Sequence, residues 1–437
     1  MEACTSAEPS EVFNSVSNLL MNKKPNIIIF LADDLGYGDS SPYGGWMQTP
    51  CMDRMAAEGM RFTDFHSNGA VCSPTRAALL TGRYQQRAGI EDVLVDKEGW
   101  YSEGLGLDPS ELTFPRLFKD AGYATALFGK WHLGANIKYN PIHHGFQKFH
   151  GYLEGAIDYV EHDKTWWQGL EQIDEEGYST HLITNHAVSY IKEHKDEPFC
   201  LYVAHEAVHL PWQAPGDGPF RKPYKDWTTE EIKEKYVAMT AELDTGLGTV
   251  LDTVQDCGIA ENTLVFYFSD NGGVARAASN APFRGHKADL WEGGHRVPAI
   301  AWWPGKIQAG SVSHDLSSGI DLFPTIADIA GLSIPEDRKI DGLSLKNHLF
   351  EQQPLPERPF FVGYEARGTA LRKGNWKFIT SKYHGWELYD LSNDIGEENN
   401  LATKMPALSA DMNIEVANWR KDVHDEIPLT AWRHDFR

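Results

Sequence analysis

Cys72-Ser73-Pro74-Thr75-Arg76 runs straight into Ala77-Ala78-Leu79-Leu80-Thr81-Gly82. Pro74 suits a first helical turn, where a missing N–H costs nothing, and the Ala/Leu run is strongly helix-forming until Gly82 stops it. The spacing therefore predicts a helix with Cys72 at its N-terminal mouth. Free backbone N–H groups and the positive end of the helix dipole favour an anion there, and Arg76, one turn on, adds a fixed cation. Read without context, Cys72 is more often a small buried hydrophobe, as free cysteines usually are.

Two acidic pairs cap apolar runs. Asp33-Asp34 follows Asn26–Ala32, and Asp270-Asn271 follows Thr263–Ser269, each before or near a glycine. Either pair alone is an ordinary turn former. Together they put three carboxylates and one amide oxygen at strand ends, a hard all-oxygen donor set suited to Ca²⁺ or Mg²⁺ rather than zinc. Cations and imidazoles follow other strands: Lys130 and His132 in Gly129-Lys130-Trp131-His132-Leu133-Gly134, and His209 before Leu210-Pro211. A glycine-rich stretch, Pro282–Lys287 followed by Trp291-Glu292-Gly293-Gly294-His295-Arg296-Val297-Pro298, presents further cations in a loop suited to an oxyanion.

The pattern Cys-x-Pro-x-Arg, the Gly-Lys-Trp-His-Leu-Gly element, the His-x-Pro at His209 and the Lys287-to-Glu-Gly-Gly spacing resemble the formylglycine-dependent (type I) sulfatases of the alkaline phosphatase superfamily. The resemblance runs from about Pro25 to Pro304 and resumes at Arg372–Lys377 and Glu387–Leu391. It implies that Cys72 is oxidised after synthesis to Cα-formylglycine by a formylglycine-generating enzyme. It further implies that Asp33, Asp34, Asp270, Asn271 and the modified Cys72 hold Ca²⁺, with Mg²⁺ the alternative. Arg76 and His132 would orient the hydrated aldehyde, with His132 its base and Asp270 an assistant. Lys130 and Lys287 would hold sulfate oxygens, and His209 would protonate the leaving alcohol. His205 lacks the following proline and falls outside the pattern.

The elements that must position these groups alternate. Asn26–Ala32, Ala124–Gly129, Phe199–Ala204 and Thr263–Ser269 are apolar runs of strand length that end at polar residues. Amphipathic helices lie between them, the clearest over Thr229–Asp256 with Tyr236, Leu243, Leu247, Val250, Leu251 and Val254 at helical spacing. A large mixed α/β sheet sandwiched by helices is expected, with ligands beyond the strands' carboxyl ends. Short apolar runs at Phe360–Val362, Thr369–Arg372, Trp376–Ile379 and Trp386–Asp390, then a helix over Pro406–Val423, predict a smaller C-terminal antiparallel sheet with a helix on it. The expected division is a tail (1–24, with Val16–Leu20 a short helical segment), a catalytic domain (25–353) and a C-terminal subdomain (354–437).

The 437 residues carry 40 basic and 62 acidic side chains, a net charge of -22, which argues against nucleic acid or an anionic membrane as partner. No apolar run is long enough to span a membrane. Residues 1–24 lack the charged and apolar regions of an intact signal peptide; a periplasmic or secreted protein is nevertheless expected from the resemblance. Five cysteines suggest neither a disulfide framework nor a zinc site, and the pairing of Cys4, Cys51, Cys200 and Cys257 stays open. Fourteen tryptophans make sugar stacking plausible. Trp166 and Trp212, together with Tyr159 and Trp167, are expected in loops beside the site, and His181 and Arg276 as sugar or sulfate contacts. Gly151–Tyr159 resembles sulfatases acting on sulfated sugars, so a sulfated polysaccharide or derived oligosaccharide is the expected substrate. The rival readings are a phosphodiester or phosphonate monoester hydrolase of the same superfamily and a carbohydrate-binding pseudoenzyme.

Overall fold

The computed structural model describes residues 24–94, 105–162, 164–364 and 367–424. Cys4 and the short helical segment expected at Val16–Leu20 lie outside the described residues. Asn26–Ala32 is a strand with every residue buried, in the middle of a ten-stranded sheet. Its parallel neighbours are Phe199–Ala204 on one side and Thr263–Ser269 on the other, with Leu31 opposite Ala204 and Ala32 opposite Ser269. Ala124–Lys130 adds in parallel beyond Phe199–Ala204. These four strands therefore run the same way and end together. Their unbroken apolar sequence is what a parallel strand covered on both faces requires.

The sheet is mixed. Ala299–Trp302 runs antiparallel to Thr263–Ser269, and Trp166–Gln168 antiparallel to Lys148–Tyr152. Trp166, expected in a loop, is thus part of the sheet. Ile27, Ile29 and Leu31 face one layer, with Leu79 and Leu80 of helix Cys72–Thr81, Phe114 and Phe323. Ile28, Phe30 and Ala32 face the other, with Ile183 and with Tyr236, Leu243 and Leu247 of helix Thr229–Asp256. Burying both faces supplies the hydrophobic stabilisation of the layer. The long helix starts where its sequence says it should: Thr228 and Glu231 form a reciprocal capping box.

A second sheet of four antiparallel strands, Phe360–Tyr364, Gly368–Lys373, Trp376–Ser381 and Gly385–Asp390, carries helix Pro406–His424 on one face. Met412, Val416, Trp419 and Val423 of that helix pack on Phe361, Leu371, Phe378 and Leu388, and the same cluster takes in Ala78 of the Cys72 helix. Trp419 stacks on Phe361 with ring centroids 4.8 Å apart. Among the described residues Cys51, Cys72, Cys200 and Cys257 are all free thiols.

Buried charge joins the two sheets. Glu292 receives Arg372 at 2.6 Å and Lys377 at 2.7 Å, and Arg372 reaches Asp64 at 3.3 Å. Burial opposes ionisation of Glu292, but Arg372 and Lys377 win and hold its carboxyl well below the usual range. Glu397 accepts the Glu292 backbone N–H at 2.7 Å but stands 3.8 Å from Lys377. Burial, opposed by Lys377 and reinforced by the Glu292 charge, pushes Glu397 up to about 8. Two carboxyls thus share one lysine, and one of them keeps its proton.

Both folded and unfolded Glu397 are protonated in acid, whereas between the ordinary carboxyl range and about 8 only the folded one is. Rising pH across that window therefore favours the unfolded chain. Glu397→Gln removes this loss, and thermal melts at pH 8 should find the variant more stable than the parent by on the order of 1 kcal/mol or more. An equal or lower melting temperature at pH 8, with the two proteins matched at pH 5, would contradict the assignment.

Candidate active site

The ends of the four parallel strands bring the expected residues to one edge. Asp33 and Asp34 follow Asn26–Ala32, Asp270 and Asn271 follow Thr263–Ser269, Lys130 closes Ala124–Lys130, and His209 lies just past Phe199–Ala204. Main-chain bonds lock the edge: Asp270 N–H donates to Ala32 O at 3.0 Å, Asp33 N–H to Ala207 O at 3.0 Å and Val208 N–H to Asp33 O at 2.7 Å. Asp34 sits at φ 67° and His132 at φ 55°, left-handed conformations that aim their side chains off the strand direction. Gly129 has φ 105°, and a Cβ there would stand 2.1 Å from Ala204 O, so only glycine lets the Lys130 strand lie this close to its neighbour.

Helix Cys72–Thr81 is buried along its whole length and ends at Gly82, φ 66°, whose N–H caps Ala78 O at 2.8 Å. Its first residue points into the cluster. Cys72 Sγ lies 3.7 Å from Asp33 Oδ1 and 3.4 Å from Lys287 Nζ. Burial and then the Asp33 charge push the thiol up to about 12. At neutral pH an unmodified Cys72 is therefore a protonated thiol, a weak nucleophile despite its place at a helix N-terminus.

Three cations offset three buried carboxylates. Arg76 donates to Asp33 Oδ2 at 3.2 Å, Asp270 Oδ2 at 2.9 Å and Lys130 O at 3.1 Å. Lys130 pairs with Asp33, and Lys287 with Asp34 at 2.6 Å. Burial alone would raise the Asp33 carboxyl; Lys130, His209, Arg76 and Lys287 together hold it well below the usual range. Asp270, beside charged Asp33, goes the other way, and burial plus that repulsion raise it to about 6. Burial, then Lys287, lowers His209 to about 4, and burial, then Lys130, keeps His132 well below its ordinary value. Lys287 stays charged against its burial because Asp34 faces it.

The donor set fits a divalent cation. Asp34 Oδ2 and Asn271 Oδ1 are buried with no hydrogen-bond partner, an expense that a cation would relieve. Donor atoms of Asp33, Asp34, Cys72 and His209 lie within 4.8 Å of one another. Asn271 instead donates its Nδ2 to Asp34 Oδ1 at 2.7 Å, leaving its oxygen as the free end. Asp270, expected as a ligand, has its oxygens on Arg76 and on Asp34 N–H at 3.3 Å.

The expected substrate contacts fare differently. Trp166 is fully buried, edge-on to Tyr152, and Trp212 is 4% exposed, so neither offers a ring face to a sugar. Both are corrected to packing residues, because the side chains that looked like loop aromatics fill the layer beneath the site. Tyr159 is also buried, and its hydroxyl donates toward Glu206 O (2.9 Å) and His209 O (2.8 Å), holding the His209 loop. His181 pairs with Glu242 at 2.7 Å and Arg276 donates to Trp227 O at 2.6 Å, both in exposed positions. Glu206 was not singled out in the sequence. It is buried, accepts from Ser179, and is raised to about 7 by burial and the Asp33 charge. Its only sequence signal is a charge at the end of an apolar strand, three residues before His209. His205, beside it, is fully buried under Phe30.

With this geometry in view, the chain matches two family descriptions, Sulfatase over residues 25–332 and N-sulphoglucosamine sulphohydrolase, C-terminal, over residues 286–422. It is 34% identical over 460 aligned positions to N-acetylgalactosamine-6-sulfatase of Mus musculus, covering 98% of this chain and 84% of that one. The Homo sapiens protein of the same name is 38% identical, with 77% of this chain and 68% of that one covered. Among solved structures, Ps i-CgsB in complex with k-i-k-neocarrahexaose superposes with a TM-score of 0.84 at 27% identity, over 95% of this chain and 96% of that one.

Tyr159→Phe keeps the ring and removes the hydroxyl that spans Glu206 O and His209 O. Leaving buried carbonyls without a donor should cost about 1–3 kcal/mol of stability and lower turnover with little change in KM. Denaturant titration and steady-state kinetics check both, and a variant unchanged in both would show that the hydroxyl does not hold the His209 loop.

Proposed function

From the premise that this chain belongs to the sulfatase family and is a sulfuric ester hydrolase, we propose that it cleaves sulfate monoesters on a sulfated oligosaccharide or polysaccharide, using a formylglycine made from Cys72 and a divalent metal. The observation that carries the reading is the first residue of the buried Cys72 helix, aimed between Asp33 and Lys287 as a thiol too basic to ionise. A cysteine in that state is a poor nucleophile, whereas its oxidised form would supply an oxygen nucleophile. Asp33, Asp34, Asp270 and Asn271, with residue 72, would hold Ca²⁺, or Mg²⁺ in its place, and the ion would supply positive charge beside the reacting oxygen. The unpartnered oxygens of Asp34 and Asn271 support that assignment.

The chain's own side chains divide the remaining work. Arg76, tied to Asp33 and Asp270, keeps the carboxylates oriented and the N-terminal turn of its helix in place. Lys130 and Lys287 hold sulfate oxygens and offset the charge that builds on them. His132, kept neutral by burial and by Lys130, takes a proton from the group at position 72. His209, near Asp34 at 3.7 Å and neutral at rest, with charged Lys287 beside it, hydrogen-bonds the departing alcohol oxygen and stabilises the charge that develops there. His181 and Arg276, in exposed positions, are the remaining candidates for sugar contact. Residues 25–353 form the catalytic domain in this reading, and 354–437 a subdomain that buttresses it.

The sugar assignment is supported by relatives whose names specify N-acetylgalactosamine 6-sulfate and by a neighbouring structure solved with a hexaose. Maturation requires a formylglycine-generating enzyme, and the periplasm or the outside of the cell is the proposed location.

Cys72→Ala should fold as the parent does, yet release free sulfate from a sulfated sugar at least about a thousandfold more slowly. A variant that keeps the parent rate would sink the nucleophile assignment. Chelation with EDTA, which strips both Ca²⁺ and Mg²⁺, should abolish turnover and lower the melting temperature, because Asp33, Asp34 and Asp270 then face one another without the ion. Added Ca²⁺ should restore both. Activity and melting temperature indifferent to exhaustive chelation would count against any metal here.

A further inference from the structure

An open cleft of about 430 Å³ lies between the Asp289–Trp291 loop and the tip of the small sheet, lined by Asp289, Trp291, Arg367, Tyr383, His384 and Glu387. It falls in the size range of small-ligand sites, roughly 300–1,000 Å³. Its position ties it to the catalytic centre through one short loop. Lys287 Nζ touches Cys72 Sγ at 3.4 Å, Ala288 N–H donates to Ala70 O at 2.7 Å, and Asp289, the next residue, forms the cleft wall.

The lining combines aromatic faces with hydrogen-bonding groups. Trp291 is held in place: Arg284 lies 3.9 Å over its ring, and its indole N–H donates to Glu387 at 2.9 Å. His384 approaches the same indole at 5.8 Å between ring centroids. Tyr383 projects beside them with 72% of its surface exposed, the most exposed large apolar side chain among the described residues. Ile379 and Leu290, both buried, floor the cleft. Tyr383 and Trp291 together offer flat aromatic surface beside hydrogen-bonding groups, the combination on which the apolar face of a sugar ring can stack.

Charge selects among sugars. Arg367 donates to Asp289 at 2.9 Å, and the Glu387 carboxylate already accepts from Trp291 and from Tyr389 at 2.7 Å. Acidic and basic groups thus offset one another across the cleft, in contrast to the lysines around Cys72. Such a lining suits hydroxyl groups better than a second sulfate.

We propose that this cleft binds an uncharged sugar ring linked to the sulfated residue, so that the enzyme prefers a chain over a free monosaccharide. The proposal rests on the sulfated-carbohydrate reading and extends it to a cleft that begins two residues past Lys287. The experiment compares the parent with the Tyr383→Ala/His384→Ala double variant, neither residue being part of the catalytic machinery. The probes are N-acetylgalactosamine 6-sulfate alone and the same residue linked to two uncharged hexoses. Sulfate release and calorimetric binding to the Cys72→Ala form, with and without the double substitution, are both measured. The expected result is that the trisaccharide binds more tightly than the monosaccharide and that the double substitution weakens the trisaccharide by about five- to tenfold, leaving the monosaccharide unchanged. A trisaccharide bound no better than the monosaccharide, or bound equally by both proteins, overturns the proposal. Failure of the formylglycine-bearing parent to release sulfate from either probe counts against N-acetylgalactosamine 6-sulfate as the sulfated residue, and binding of the trisaccharide that the double substitution abolishes would then still place its uncharged hexoses in the cleft.

Discussion

Everything at this site depends on burying Asp33, Asp34 and Asp270 where a fully apolar sheet ends. Carboxylates there have lost water, and the sheet beneath offers them nothing. Arg76, Lys130 and Lys287 make the arrangement possible, each from a different part of the chain. The balance is local and incomplete: Asp33 is held ionised while Asp270 is pushed toward its protonated form. Repulsion of this kind is the stored demand that a divalent cation would answer, and the unpartnered oxygens of Asp34 and Asn271 point to the same demand.

The helix that carries Cys72 inherits its precision from the same constraint. Arg76, one turn inside it, is anchored to the strand ends, so the helix mouth cannot drift from the carboxylates. Its other end meets the small sheet's core through Ala78, and the Glu292 network ties that sheet to the loop bearing Lys287. The small sheet therefore acts as a buttress. It holds the loop bearing Lys287 beside the Cys72 helix, and its tip presents aromatic side chains beside that loop.

Much of this was legible in the chain. Asn26–Ala32 and Thr263–Ser269 read as buried parallel strands because a strand covered on both faces has no polar side to alternate with. Helix Thr229–Asp256 was legible from the helical spacing of its apolar residues, and the Thr228–Glu231 capping box emerged only in the structure. The antiparallel strands Ala299–Trp302 and Trp166–Gln168 were not, because four or three residues carry too little periodicity to distinguish a strand from a loop. The aromatic loop residues misled for a related reason. Sequence gives the hydrophobicity of Trp166 and Trp212 but not which side of the sheet surface they fall on.

The chemistry-bearing residue types, their order and their attachment to strand ends are properties of the sequence, because strand and helix periods are local. Which atoms meet is not local. Asp33 and Asp270 become neighbours through a parallel register set 237 residues apart in chain order by Asn26 opposite Thr263. Likewise, Tyr159 turns from a candidate sugar platform into the support of His209 only because its hydroxyl reaches two carbonyls of a distant loop. Sequence determined that this chain could assemble an anion-handling metal centre around Cys72. Tertiary packing alone decided how basic the thiol is, which oxygens are left wanting, and which aromatics remain open to solvent, since each depends on burial and on partners far away in the chain.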